Sequence, residues 1–250
     1  MSEIVYAVGI GPGGTELLTR QAAAVLERCT AIAGYKLYLD QIPEFLTGKK
    51  VIPGAMRQEI MRCREALEAA LAGETVAMVS SGDAGVYGMA GLLMELTELE
   101  RYRNIRIEVV PGVTAALAAA ALAGAPLMND FAVLSLSDLM TERTLIEKRL
   151  RAAAEADLPV ALYNPASSKR HTLLEYAVKV FFEAGGALPG ALVRDAFRPG
   201  QTVEFFTLDH FPFDRVQMTT LVLIGNSQTI RRGDQLYCRR GYREKHEFEG

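Results

Sequence analysis

Cysteine and histidine are scarce in this chain of 250 residues, with three of each. Cys29, Cys63 and Cys238 are far apart and odd in number, which argues against a disulfide framework and against a cysteine-based zinc or iron–sulfur module. Reduced thiols in a cytoplasmic protein are expected instead. His171, His210 and His246 form no ligand pair at helical spacing, so no metal site is expected. Charge of one sign is lacking too: the net charge of −3 gives no footprint for nucleic acid or another polyanion. No apolar run approaches the length of a membrane span. The first strand, Ile4-Val5-Tyr6-Ala7-Val8, opens the chain with no basic or signal-type segment before it, so no membrane partner is expected. No Ser/His/Asp or Cys/His nucleophile arrangement assembles, and the usual equipment of a hydrolase is missing.

Half of the residues are apolar and 23% are charged, the balance of a globular protein whose core needs no staples. Strands are predicted at 4–10, 31–34, 76–79 and 105–110. Helices are predicted from Thr15 to about Cys29, from about Met56 to Ala72 with Gly73 as its C-cap, from Met89 to Leu99, and over Ala115–Ala123. This alternation predicts a mostly parallel, doubly wound first sheet. Gly124–Asp130 reads as a link. Beyond it, strands are predicted at 131–136, 159–163, 190–194, 203–208 and 219–224, with helices at 143–156 and 170–184. With fewer intervening helices, the second sheet should be mixed. The fold class is therefore α/β, with two α/β domains at 1–125 and 126–250. The polar tail from Arg231 is expected at the surface or partly disordered.

The most telling segment is Ser80–Met89, a glycine-rich turn with one carboxylate, Asp83, at the end of a buried strand. Open α/β sheets bind ligands at such strand ends. Asp83 would repel a phosphate, but it suits a ribose diol or a cation. Gly9-Ile10-Gly11-Pro12-Gly13-Gly14 fits the spacing of a dinucleotide turn. However, Pro12 supplies no N–H, and the second strand ends without an acidic residue for a ribose, so a nicotinamide site is disfavoured. Pro111-Gly112-Val113-Thr114-Ala115 is either a turn before a close-packed alanine helix or a helix N-terminus facing a ligand. Asn164, before Pro165, is expected to be extended, with its amide pointing out of the sheet edge. Thr219-Thr220 opens the last buried strand. Ser135-Leu136-Ser137-Asp138 reads as a helix cap or a polar lining. Lys148-Arg149 and Lys169-Arg170 read as solvated helix faces.

In their order and spacing, Val8–Gly14 with Leu17-Leu18-Thr19, Gly82-Asp83 and Val110–Ala115 resemble the tetrapyrrole methyltransferases of corrin and sirohaem biosynthesis. Ala33-Gly34-Tyr35-Lys36, Ser80–Met89, Ala125-Pro126-Leu127-Met128, Ser135–Asp138, Leu162-Tyr163-Asn164-Pro165 and Ile224-Gly225-Asn226-Ser227 resemble the branch that methylates carbon 17 of precorrin-3B or cobalt-factor III. The resemblance runs from residue 4 to about 243. It implies two α/β domains with a ligand cleft between them, a homodimer, S-adenosylmethionine as methyl donor, and a tetrapyrrole substrate that carries any cobalt itself. It also implies methyl transfer with ring contraction in cobalamin biosynthesis. The implied cofactor contacts are Pro12, Gly82, Asp83, Ala84, Val86, Thr114, Ala115, Tyr163, Asn164 and Thr220. The implied substrate contacts are Gly11, Gly13, Asn129, Arg194 and Arg198, the two arginines facing the macrocycle's carboxylates.

The chain departs from the family pattern at three places. Asn129 stands where members carry His, Glu142-Arg143 where they carry Trp-Glu, and Arg194-Asp195-Ala196-Phe197-Arg198 where Arg-Asn-Ala-Gly-Arg is usual. Ser137 and Asp138 are candidates for proton movement during ring contraction. Methyl transfer from a sulfonium demands little acid–base work and much positioning, which fits a chain of shaped turns without a triad. Two other functions stay open on the sequence: a related methyltransferase acting at another ring carbon, and a non-catalytic tetrapyrrole or nucleotide carrier.

Overall fold

The computed structural model describes residues 3–55, 57–165 and 172–246. The chain divides into two compact units, residues 1–115 and 116–250. In the first unit, strand β1 (Ile4–Gly9) is followed by helix α1 (Arg20–Arg28), β2 (Ala31–Tyr35), the short α2 (Lys36–Leu39) and β3 (Lys50–Gly54). Then come α3 (Glu59–Leu71), β4 (Val76–Ser80), α4 (Ala90–Leu96), β5 (Arg106–Val110) and α5 (Ala115–Ala123), the last running into the second unit. All five strands are parallel, in the order β3-β2-β4-β1-β5.

The registers explain the two-sided core. Ala7 stands opposite Met78 and Val8 opposite Val79. Side chains alternate faces along a strand, so each face receives every second residue. Val5, Ala7, Val76 and Met78 pack with Cys63, Ala66 and Leu67 of α3 and Leu93 of α4. Tyr6, Val8, Ala77 and Val79 pack with Ala22, Val25 and Leu26 of α1. The central strands are therefore apolar throughout, as a sheet covered on both faces requires.

Sequence reading had no strand at 50–54. Lys50-Val51-Ile52-Pro53-Gly54 is short and carries a proline, which a sheet accepts only at an edge, and β3 is an edge strand. The first helix also starts later than predicted. Thr15–Leu17 is a single 3₁₀ turn, and Thr19 is the true cap, its hydroxyl accepting from the Ala22 amide at 3.1 Å. Residue 56 and residues 166–171 lie outside the described residues, so the predicted helix starts at Met56 and Arg170, the Lys169-Arg170 face and His171 are not placed.

The second unit contains β6 (Gly124–Ala125), β7 (Ala132–Ser135), α6 (Arg143–Glu155), β8 (Val160–Tyr163), α7 (Thr172–Gly185), β9 (Pro189–Arg194), β10 (Thr202–Thr207) and β11 (Thr220–Ile224). It closes with β12 (Thr229–Arg232), β13 (Gln235–Cys238) and α8 (Tyr242–Lys245). Its main sheet runs β10-β9-β11-β8-β7, antiparallel except for the β7–β8 pair. The mixed second sheet was thus correctly anticipated. Ile146, Leu150, Leu174 and Phe181 of α6 and α7 bury against Leu162, Leu192, Val222 and Ile224. The tail is more ordered than expected: β12 and β13 form a hairpin, and β13 pairs with β6, so Gly124-Ala125 is part of a sheet.

All three cysteines are buried and unpaired. Burial pushes the Cys29 and Cys63 thiols up from 9.0 to about 11. The folded state therefore holds these protons more tightly than the unfolded chain. Their contribution to stability is complete below pH 9 and falls as pH rises toward 11. Urea midpoints should decline over that window, and a C29A/C63A double variant should show a flatter decline. Native protein at neutral pH should not react with Ellman's reagent until it is unfolded.

Candidate functional site

A fully parallel sheet delivers every strand's carboxyl end to one edge. At this edge of the first unit, three turns meet backbone to backbone. The Ile10 amide donates to the Ser80 carbonyl (2.9 Å), Gly11 to Gly82 (3.0 Å), and Gly82 back to Gly11 (2.7 Å). These bonds form an isolated antiparallel bridge between the turns after β1 and β4. Gly11 and Gly82 are left-handed, with φ +79° and +70°. The third turn, after β5, leaves no room for a side chain: a Cβ on Gly112 would lie 2.2 Å from the Gly82 carbonyl oxygen. One on Gly9 would lie 2.7 Å from the Gly112 nitrogen.

Asp83 ties this arrangement together. One carboxylate oxygen accepts from the Gly112 amide at 2.9 Å, and the other from the Gly85 amide at 2.8 Å. The expectation of an acid free to meet a ribose or a cation thus changes: the carboxylate is half-buried and engaged with two main-chain donors. Each oxygen keeps a second acceptor site for a ligand. Ser80 Oγ accepts from the Met89 amide (3.1 Å), and the Ala90 amide donates to the Ala84 carbonyl (3.1 Å), which closes the base of the 81–89 loop. Thr19 Oγ1 donates to the Pro111 carbonyl at 3.2 Å and fastens α1 to the third turn. The Ala115 nitrogen lies 3.4 Å from where a Gly82 side chain would begin, so Gly82 sits against the N-terminus of α5. The structure therefore gathers Gly11, Gly82, Asp83, Ala84, Thr114 and Ala115 at one edge.

In the second unit, the ends of β7, β8 and β9 and the start of β11 share an edge, because Ser135 pairs with Tyr163 and Thr220 with Arg194. Tyr163 Oη accepts from the Ala116 amide at 2.8 Å, meeting one of the free donors at the start of α5. Asn164 is left-handed, with φ +53°, and not extended as predicted. Asparagine tolerates this region better than other residues with a Cβ, and its side chain has a fixed partner: Nδ2 donates to Ser135 Oγ at 2.9 Å. The Ser137 amide donates to the same oxygen at 3.2 Å. The helix-cap reading of Ser135–Asp138 is overturned, since α6 is capped at Glu142 and Ser135 instead fastens two strand ends. Thr220 is buried, and its hydroxyl accepts from the Gln217 amide at 2.9 Å.

Arg194 lies 3.7 Å from Asp195 and opens a tight turn. Asp195 and Phe197 are left-handed, at φ +48° and +58°. The Arg198 amide donates to the Asp195 carbonyl (2.9 Å), and the Phe197 amide to Gln201 Oε1 (2.8 Å). A left-handed phenylalanine is strained and persists only where its surroundings fix it. Asn129 is not at this edge. Its amide donates to the Arg239 carbonyl (2.8 Å) and to Cys238 Sγ (3.3 Å) beside β13. Sequence reasoning missed Thr19, Ser80 and Ser135 as the residues that shape the turns, because a hydroxyl before a loop carries no signal of its distant partner. Among the described residues, no three His, Cys, Asp or Glu side chains gather as metal ligands, and no helix is long and apolar enough to cross a membrane.

The packed turns make a direct prediction. Gly112→Ala forces a Cβ into the Gly82 carbonyl and should cost about 3 kcal/mol, read as a lower urea midpoint.

Comparison with known proteins agrees with this fold. Residues 4–212 match the family of Tetrapyrrole (Corrin/Porphyrin) Methylases. The chain is 42% identical over 240 residues to a probable cobalt-factor III C(17)-methyltransferase of Salmonella typhimurium, covering 96% of this chain and 99% of that protein. It is 35% identical over 232 residues to a precorrin-3B C(17)-methyltransferase of a Sinorhizobium species, covering 92% of this chain and 91% of that one. The crystal structure of the methyltransferase CobJ superposes with a TM-score of 0.90 at 36% identity, covering 96% of this chain and 100% of that one. With the family match spanning most of its length, and with glycine turns meeting at the carboxyl edge of its first sheet, this chain belongs to the tetrapyrrole methylase family.

Proposed function

We propose that this protein transfers a methyl group from S-adenosylmethionine to carbon 17 of cobalt-factor III or precorrin-3B, with contraction of the macrocycle, in cobalamin biosynthesis. The observation that carries this reading is the triple-turn edge pinned by Asp83, together with near-full-length similarity to proteins of that name. Fixed turns present main-chain groups to a cofactor with little reorganisation on binding. Such positioning can supply about 7–11 kcal/mol of a transfer barrier. In the first unit, Pro12, Gly82, Asp83, Ala84, Val86, Thr114 and Ala115 are the proposed cofactor contacts. In the second they are Tyr163, Asn164 and Thr220.

When bound, S-adenosylmethionine supplies the electrophilic methyl. The protein's part is to hold sulfonium and ring carbon in line and to exclude water. Arg194 and Arg198, on one strained turn, suit carboxylates of the macrocycle. Gly11 and Gly13 give it close access to the main chain, and Ser137 and Asp138 are the candidates for proton movement. Asn129 is proposed to contact substrate through an amide already engaged with Cys238 and Arg239. A homodimer and a cytoplasmic location belong to the same reading, the latter supported by three buried, unpaired thiols.

Calorimetry should show S-adenosylmethionine binding, and mass spectrometry should show one added methyl on the tetrapyrrole. Absence of both defeats the proposal. Running cobalt-loaded and metal-free substrate in parallel identifies the form used. Asp83→Ala should weaken cofactor binding about tenfold or more, since two charge-assisted bonds that shape the turns are lost. An unchanged dissociation constant would remove Asp83 from the cofactor site.

A further inference from the structure

The first unit buries a positive charge on the inner face of α3. Arg62 of α3 is only 4% exposed. It lies on the helix's apolar stripe with Cys63, Ala66 and Leu67, where a residue of this kind is out of place unless something pairs with it. Its Nη1 donates to the Ala55 carbonyl at 3.2 Å. Among the described residues its Nη2 meets only the Met89 thioether, at 3.8 Å, and sulfur is a weak acceptor. Nε is buried with no partner among the described residues. Among the described residues, no carboxylate forms an ion pair with it.

The placement matters as much as the deficit. Ala55 follows the end of β3, and Met89 closes the 81–89 loop after β4, so the guanidinium lies at the carboxyl edge that carries the Gly82-Asp83 turn. Room for it is built in: a Cβ on Gly54 would lie 2.7 Å from Nη1. The unsatisfied side is the Nε–Nη2 edge, one of the two forks by which arginine takes a carboxylate in parallel hydrogen bonds. A hydrophobic side chain of similar length would fill the site without the cost of desolvating a charge. Met89, unbranched and adaptable, occupies the place such a carboxylate would take.

We propose that Arg62 is an anchor for a ligand carboxylate, which displaces the Met89 thioether and pairs with Nε and Nη2. This rests on the proposed function, whose ligands offer two sources: the acid side chains of the tetrapyrrole and the methionine carboxylate of S-adenosylmethionine. The test compares wild type with Arg62→Met and Arg62→Lys. Binding of uroporphyrin III is followed by fluorescence, and binding of S-adenosylhomocysteine by calorimetry.

Arg62→Met should keep or raise Tm, because an unpaired buried charge is removed, and should bind one of the two probes about 30-fold more weakly. Loss confined to uroporphyrin assigns the anchor to the substrate, and loss confined to S-adenosylhomocysteine assigns it to the cofactor. Arg62→Lys keeps the charge but loses the fork, and should show a smaller loss at unchanged Tm. It serves as the readout if the methionine variant does not fold. Unchanged affinity for both probes overturns the inference, as does a fall in Tm without a change in affinity. Methyl transfer by the wild type is read separately. Binding through Arg62 without transfer would keep the anchor and defeat the C-17 reading.

Discussion

The site depends on one carboxylate held by two peptide N–H groups. Asp83 bonds to Gly85 within its own loop and to Gly112 in the next turn. That second bond spans 29 residues of chain and joins the ends of β4 and β5 across β1, the strand between them. The glycines exist to permit it. With any side chain at Gly9 or Gly112 the main chains would stand apart, and the acid would lose its reach.

The second unit meets the same demand differently. Its edge is held by side chains: Ser135 takes the Asn164 amide, Thr220 takes the Gln217 amide, and Tyr163 takes that of Ala116. Strain is stored there at the left-handed Phe197. The first unit thus offers main-chain groups from turns free of side chains, whereas the second offers amides, hydroxyls and arginines.

Much of this was legible in the residues. Continuous apolar runs such as Val76–Val79 announce strands buried on both faces, and the alternation with helices announces a parallel sheet. The alanine helix is recovered at Ala115–Ala123. Glycines at 11, 82 and 112 mark the turns, since close approach and positive φ have local sequence signatures. Strand β3 was illegible because an edge strand bearing a proline lacks that signature. The β12–β13 hairpin was hidden by the polar residues on its exposed face.

The sequence by itself determined the fold class, the turns and the family, because each depends on local pattern or on residues in a fixed order. Only the tertiary structure decided what the polar residues do. Asp83 reads as a free acid and proves to be a tie between turns, and Asn164 reads as extended and proves left-handed. Ser135, in a stretch that reads as a helix cap or a polar lining, proves to join two strand ends. Arg62 lies within a predicted helix and proves to be buried, with no ion pair among the described residues. The partners of a polar group are chosen by which strand ends the fold brings together, and spacing along the chain does not encode that.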